Sequence, residues 1–351
     1  MYTYTQKRLL LLTMDIKRKR NKKRLNSMDI ATLAGVSQAT VSRVLQNSDK
    51  VHPDTRQRVL DILKQTDYAP NIWAQAMKNN RSDSIGIVVS RITNPLYPEI
   101  LDIVSELLTS RGKRMIVWNG EGSGEEAALS GIEQSLVDGV LFTTATDNSI
   151  ALHRALALDA PAVMINRTVD LPGCVSVTSD NYSGGVQVAE YFVKHGRHRI
   201  GLLPGSRAAS TLRGREDGFR NVLERLGIDI FVPNIPVQEI SHGYGRDAMA
   251  ALLHTCGEID AVFCINDLVA LGAMDALLKV GLRVPEDVWV VGFDDISMAS
   301  WETNSLSTVR QPIETMVREG VDLLLKRIDR IDEESRVLPV EFIPRRSTAY
   351  S

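Results

Sequence analysis

Between Ser27 and Thr66 apolar residues return every three or four positions, at Ile30, Leu33, Ala34, Val41, Val44, Val59, Ile62 and Leu63. That period belongs to helices with one buried stripe, so SMDIATLAG, SQATVSRVLQ and PDTRQRVLDILKQT are predicted helical, with no strand among them. Gly35 supplies the turn after the first helix, Ser37 can cap the second, and Pro53 with Asp54 opens the third. A unit of about 40 residues is close to the smallest that buries a core of its own.

Beyond a short helical segment from Ile72 to Lys78 and a polar linker from Asn79 to Asp83, the texture changes. Short β-rich runs now alternate with longer amphipathic ones: SIGIVVS, a helix through IVSELLTSR, RMIVWN, EEAALSGIEQSLV, GVLFTT and AVMIN. The rhythm restarts after a helix from Tyr182 to His195. It runs through RIGLLPG, a helix from Arg213 to Leu226, a strand near Val237, a helix from Tyr244 to Thr255, AVFCIN, a helix from Leu268 to Val280, and VWVVGFDD. Such βαβ alternation predicts parallel sheets covered by helices on both faces. Two successive doubly wound lobes are expected, with a ligand at the carboxyl ends of their strands, in the cleft between them. The fold class is read as α/β: an all-α helix-turn-helix headpiece followed by a two-lobed doubly wound sensor. The divisions are expected at 1–25, a basic disordered extension; 26–70, the headpiece; 71–83, a helix and linker; and 84–351, the two lobes.

Charge sharpens this division. The 351 residues carry a formal charge of only -2, but 15 Lys and Arg face six Asp up to Asn80, a net +9, and the remainder is net -11. An acidic body does not seek polyanions; the basic N-terminal part does. Much of the excess lies in KRKRNKKR, Lys17 to Arg24, which reads either as a solvated tail or as a phosphate-attracting arm. Cys174, Cys256 and Cys264 are odd in number, far apart and without metal-ligand spacing, which points to a reducing compartment and no zinc site. The apolar run Leu9 to Leu12 is too short for a signal-peptide core, and no stretch reaches the roughly 18 apolar residues of a membrane span. A cytoplasmic protein without membrane contact is the expectation.

A helix starting at Ser37 presents Gln38, Ala39, Ser42 and Arg43 on one face near its N-terminal end, where a recognition helix meets base edges. Arg43 then suits guanine and Gln38 adenine, while Ser37 and Thr40 hold phosphates of double-stranded DNA. An ordinary surface helix is the plain alternative. The run DIATLAGVSQATVSRVLQNSDKVHPDTRQRVLDILKQTDYAPN resembles the headpiece of the lactose and galactose repressor (LacI/GalR) family, and the likeness extends over about residues 26 to 351. The resemblance implies a periplasmic-binding-protein-like sensor, a homodimer, and a repressor controlled by a small polar metabolite such as a sugar or sugar acid. It makes Gln38 and Ala39 the variable base-reading pair and Arg43 the contact to guanine. Ser27 departs from the apolar residue usual there. The resemblance also makes Ile72 to Lys78 a hinge helix that folds on operator DNA, with Asn71, Ala74 and Met77 at the DNA and Met77 as the minor-groove wedge. Packing of Met77 and Trp73 against the sensor is the alternative.

In the sensor the resemblance assigns Leu96 and Tyr97 of the NPLY loop, Asn166, Arg215, Ile240, Asn266 of the Asn266-Asp267 pair, and Asp294 to the effector. A guanidinium fork and a carboxylate acceptor can together clamp vicinal hydroxyls; alternatively, Arg215 and Asp294 pair with each other across the cleft. Ile240 stands where relatives often carry a ring that stacks on the ligand. Gly120, Gly122 and Gly124 lack the dinucleotide spacing and read as a loop, so no cofactor is implied. His195 and His198 read as capping or surface residues, and the adjacent Asp294 and Asp295 point to opposite faces of a strand rather than to a shared metal. A transport-type solute-binding protein predicts a signal peptide and no headpiece. A sugar-modifying enzyme requires an acid, base or phosphate loop in the cleft. This sequence shows the reverse of the first pattern, and it contains no nucleophile elbow, HExxH or P-loop.

Overall fold

The computed structural model describes residues 25–45, 49–66, 81–89, 92–120, 123–237 and 239–348, and the chain divides between Ser82 and Asp83 into two compact units. The N-terminal unit holds α1 (Ser27–Ala34), α2 (Gln38–Leu45) and α3 (Pro53–Thr66). Ile30, Val41 and Val59 are fully buried where the three stripes meet, joined by Ala31, Ala34, Val44, Val51 and Ile62. Leu33 and Leu63, expected in the core, pack half-buried against its edge. Asn26 caps α1: its side chain accepts from the amides of Met28 and Asp29 at 2.9 and 3.0 Å, and Asp29 accepts from the Asn26 amide at 2.9 Å. Gly35, at φ +64°, ends the helix in the left-handed region that a side chain would oppose. Ser37 accepts from the Thr40 amide at 3.2 Å and opens α2.

The C-terminal unit contains two parallel sheets and a ribbon. The first sheet runs β11-β5-β4-β3-β1-β2, built from β1 (Ser84–Val89), β2 (Arg114–Asn119), β3 (Gly139–Phe142), β4 (Ala162–Ile165), β5 (Ser176–Ser179) and β11 (Arg336–Leu338). The second runs β7-β6-β8-β9, from β6 (Ile200–Leu203), β7 (Ile230–Phe231), β8 (Ala261–Cys264) and β9 (Trp289–Val291). A ribbon pairs β10 (Thr308–Arg310) antiparallel with β12 (Glu341–Ile343), and bridges from Val291 to Ser307 and from Asp294 to Arg310 attach it beside β9.

Alternation along the strands explains why both faces are covered. On β1, Ile85, Ile87 and Val89 join the core beneath α4 (Leu96–Ser110) and α11 (Ile313–Ile328), while Val88 joins the opposite core with α5 (Ser123–Glu133) and α6 (Ile150–Ala157). On β8, Val262 and Cys264 face α9 (His242–Cys256) and α10 (Asp267–Lys279), and Ala261 and Phe263 face α7 (Asn181–Lys194) and α8 (Ser210–Arg225).

Two expectations are corrected. No strand forms near Val237; β7 lies earlier, at Ile230–Phe231. Pro233 and Pro236 precede Val237, and a proline has no amide to give a ladder, so Val237 packs as a half-buried loop residue. The lobes are also not successive. After β9 and β10 the chain returns to the first sheet, where Leu324 of α11 packs on Gly139, Gly320 packs on Ile165, and β11 pairs with β5. It then leaves again for β12. Three connections thus cross between the lobes: β5 to α7, β10 to α11, and β11 to β12.

Candidate functional site

On α2, Val41 and Val44 are buried, and Ser37, Gln38, Ala39 and Arg43 are exposed on the other side; Thr40 and Ser42 lie half-buried between. Backbone turns hold this face rigidly, since Ser37 bonds both the amide and, at 2.9 Å, the hydroxyl of Thr40. The Gln38 amide nitrogen donates to the Ser27 hydroxyl at 2.8 Å. The serine that departs from the family pattern therefore holds Gln38. Asn71, Ala74 and Met77, with Trp73 and the basic run Lys17 to Arg24, lie outside the described residues.

Within the C-terminal unit, loops at the carboxyl ends of the strands enclose a cavity of about 410 Å³. Leu96, Tyr97, Asn166, Arg215, Ile240, Asn266 and Asp294, the seven residues expected to meet an effector, all line it. Topology brings them together: these seven come from segments that follow β1, β4, β6, β7, β8 and β9, because parallel strands deliver all their carboxyl ends to one side.

Arg215 and Asp294 are both almost completely buried and form an ion pair at 2.9 Å. Asn181 accepts from Arg215 Nε at 2.9 Å and the Ile265 carbonyl from Nη1 at 3.0 Å, while the guanidinium carbon sits 3.7 Å from the centre of the Phe293 ring. Gln311 donates to Asp294 Oδ1 at 2.7 Å. Burial pushes the Arg215 guanidinium below its usual value and the Asp294 carboxyl above its own, and each opposes the other's shift. The pairing that the sequence left open is present, and it does not displace the clamp, since both side chains line the cavity. It also makes a neutral, preorganised donor and acceptor in the cavity wall.

Asn266 caps α10, accepting from the Val269 amide at 3.0 Å. Its neighbour Asp267 points away from solvent, accepting from the Ile296 amide at 2.9 Å and the Thr308 hydroxyl at 2.5 Å. Burial first, and then the charge of Asp294, push the Asp267 carboxyl up to about 8. Asp295 turns the other way, to Arg310 and Arg345 at 2.6 Å each, so the adjacent acids address different partners. Among the described residues no group of three or more His, Cys, Asp and Glu is placed to hold a metal ion, and no helix is long and apolar enough to cross a membrane. His195 follows the last turn of α7 with Nδ1 against the Tyr191 carbonyl at 2.8 Å.

Backbone strain gathers here too. Asn166 at φ +77° and Asp294 at φ +120° are non-glycine residues outside the ordinary regions, as expected where surroundings force a conformation for function. Asn166 is 3% exposed, yet its Oδ1 finds no hydrogen-bond partner among the described residues. Sequence reasoning missed Asn181, Gln311 and Arg167. Arg167 was the most accessible of the three, being next to Asn166 and just beyond the end of β4.

Comparison with known proteins places both units. The model for bacterial regulatory proteins of the lacI family matches residues 28–71, and that for a periplasmic binding protein-like domain matches residues 189–348. The transcriptional regulator DegA of Bacillus subtilis is 30% identical over 92% of this chain and 97% of its own length. A ribose operon repressor of Halalkalibacterium halodurans is 31% identical over 91% and 96%. The structure of the lac repressor dimer bound to operator and an anti-inducer superposes with a TM-score of 0.81 at 27% identity, covering 93% of this chain and all of that one.

Proposed function

Since the chain belongs to the lacI family of bacterial regulatory proteins, DNA-binding transcription regulators rather than enzymes, we propose that it represses from a pseudo-palindromic operator under the control of a small polar metabolite. The metabolite occupies the 410 Å³ cavity, clamped by Arg215 and Asp294. The observation that carries this reading is the convergence of seven residues, from strand ends far apart in sequence, on that one cavity. Its lining suits a polyhydroxylated ligand: Leu96, Tyr97 and Ile240 share it with the ion pair and the unsatisfied Asn166.

The repressor acts as a cytoplasmic homodimer, one headpiece for each half-site. Gln38 and Ala39 read bases beside Arg43, Ser37, Thr40 and Ser42 hold the flanking phosphates or bases, and Asn71, Ala74 and Met77 engage the centre of the operator. Control works by population shift. The metabolite changes operator affinity only to the extent that it prefers one arrangement of the two lobes over the other.

Selection of binding sites from a random duplex library, using the full chain, tests the reading end of this proposal. A palindromic consensus is expected, and Arg43→Ala loses discrimination at one base pair per half-site, about 1–3 kcal/mol each. An unchanged consensus removes α2 from the bases.

A further inference from the structure

The cavity holds a charge that the ion pair does not account for. Arg167 lines it beside Asn166. Its Nη1 donates to the Thr144 carbonyl at 2.6 Å, its Nε is buried with no acceptor, and no carboxylate pairs with it among the described residues. Of the other charges of the wall, Arg215 is balanced by Asp294, and Glu125, which no cation pairs among the described residues, lies at the first turn of α6, where its Oε1 accepts from the Ala151 amide at 3.4 Å and meets the positive end of that helix. A second contribution has the same sign. The N-terminus of α8 opens on the cavity at Ala208, Ala209 and Thr211, and Ala209, in the cap position, has no side-chain oxygen to offer its amides. Around Arg167 the wall therefore suits negative charge: Nη2 of its guanidinium is unengaged and the α8 amides are uncapped. The buried Asn166 Oδ1, lacking a donor, asks in addition for a hydroxyl.

Resting on the reading of this cavity as the effector site, we propose that the effector is a sugar acid. Its carboxylate is taken by Arg167 and its hydroxyls by Asn166 and the Arg215–Asp294 pair. One guanidinium fork matches the single charge and planar shape of a carboxylate, whereas a phosphate dianion calls for more cations than the wall supplies. Recognition of the carboxylate also bears on the lobes. Arg167 belongs to the first lobe, and the amide of the next residue, Thr168, donates to Ser210 Oγ at the start of α8 in the second, at 3.0 Å. A carboxylate on Arg167 thus tightens a strip that already joins the two lobes.

Isothermal titration of the full chain with D-galacturonate, D-glucuronate and D-gluconate, against D-galactose, D-glucose and D-glucose 6-phosphate, tests this. At least one acid is expected to bind ten times or more tighter than its parent aldose. Arg167→Gln costs that acid roughly tenfold to a hundredfold, and Arg167→Lys, which keeps the charge, recovers part of the loss. Equal affinity for acid and parent aldose overturns the inference, as does a preference for the phosphate or an Arg167→Gln variant that binds the acid unchanged. Asp294→Asn separates this failure from that of the cavity reading. If a neutral sugar binds and depends on Asp294 but not on Arg167, the site stands and its acidic ligand does not. Binding that ignores both residues, or no binding by any of the six, overturns both.

Discussion

Asp267 is the residue whose chemistry the ligand cavity depends on without exposing it. Fully buried one residue beyond Asn266, it holds its proton up to about pH 8 through burial and the nearby charge of Asp294. In that state Asp267 adds no second negative charge beside Asp294. The unfolded chain releases the same proton near pH 4. Between those values folding takes up a proton, so stability contributed by this group is present in full at low pH, declines as pH rises, and is level above about pH 8. Urea denaturation at pH 5 and pH 8 measures the decline. Asp267→Asn, whose amide donates to Thr308 and whose oxygen accepts from Ile296, is expected to shrink the difference between the two midpoints; an unaltered difference assigns the pH dependence to other groups. The places of single residues were legible in the sequence where they stand in a motif, as Arg43 on the exposed face of α2 and Arg215 and Asp294 in the cavity wall do. Arg167 and Gln311 were not, because what matters about them is an unmet or completed hydrogen bond, which exists only once distant loops are side by side.

Helices α7 and α8 cross at a distance that only glycine permits. A methyl group on Gly185 would lie 2.0 Å from the Arg215 carbonyl oxygen, and one on Gly218 would lie 2.1 Å from that of Tyr182. Gly245 and Gly272 play the same part where α9 meets α10. The first crossing fixes the backbone of Arg215 itself, so Gly185→Ala is expected to lose about 1–3 kcal/mol of stability by overpacking, read from the urea midpoint of the full chain. A variant as stable as the parent means that α7 can move aside freely. Periodicity located α4, α5, α7, α8, α9 and α10 and the strands β1, β2, β3, β4, β6, β8 and β9, since each shows its own stripe or apolar run. It passed over β5, α6, α11 and the three-residue strands β10, β11 and β12, and it misplaced β7 among prolines. The glycines of the crossings were visible as letters, but nothing local says which carbonyl they face.

On the scale of the molecule, the opposite charges of the two parts divide the work between them. The net +9 up to Asn80 attracts the duplex, and the net -11 beyond it keeps the sensor off the phosphates. Operator affinity is expected to fall steeply with salt, and a chain starting at Leu25, without the nine Lys and Arg that precede it, to show a shallower slope of log affinity against log salt. Fluorescence anisotropy with a labelled operator measures both slopes. Equal slopes make the basic run a solvated tail rather than an arm.

The three connections between the lobes reach past ligand control to the history and redesign of the protein. Because α11 and β11 complete the first lobe from beyond the second, neither lobe corresponds to a continuous stretch of gene. A single recombination event within the sensor cannot exchange one intact lobe for that of a relative. New ligand preferences are therefore more readily acquired by point changes in the strand-end loops. A laboratory chimera that swaps specificity has to carry two or more separate inserts, with junctions at the crossings.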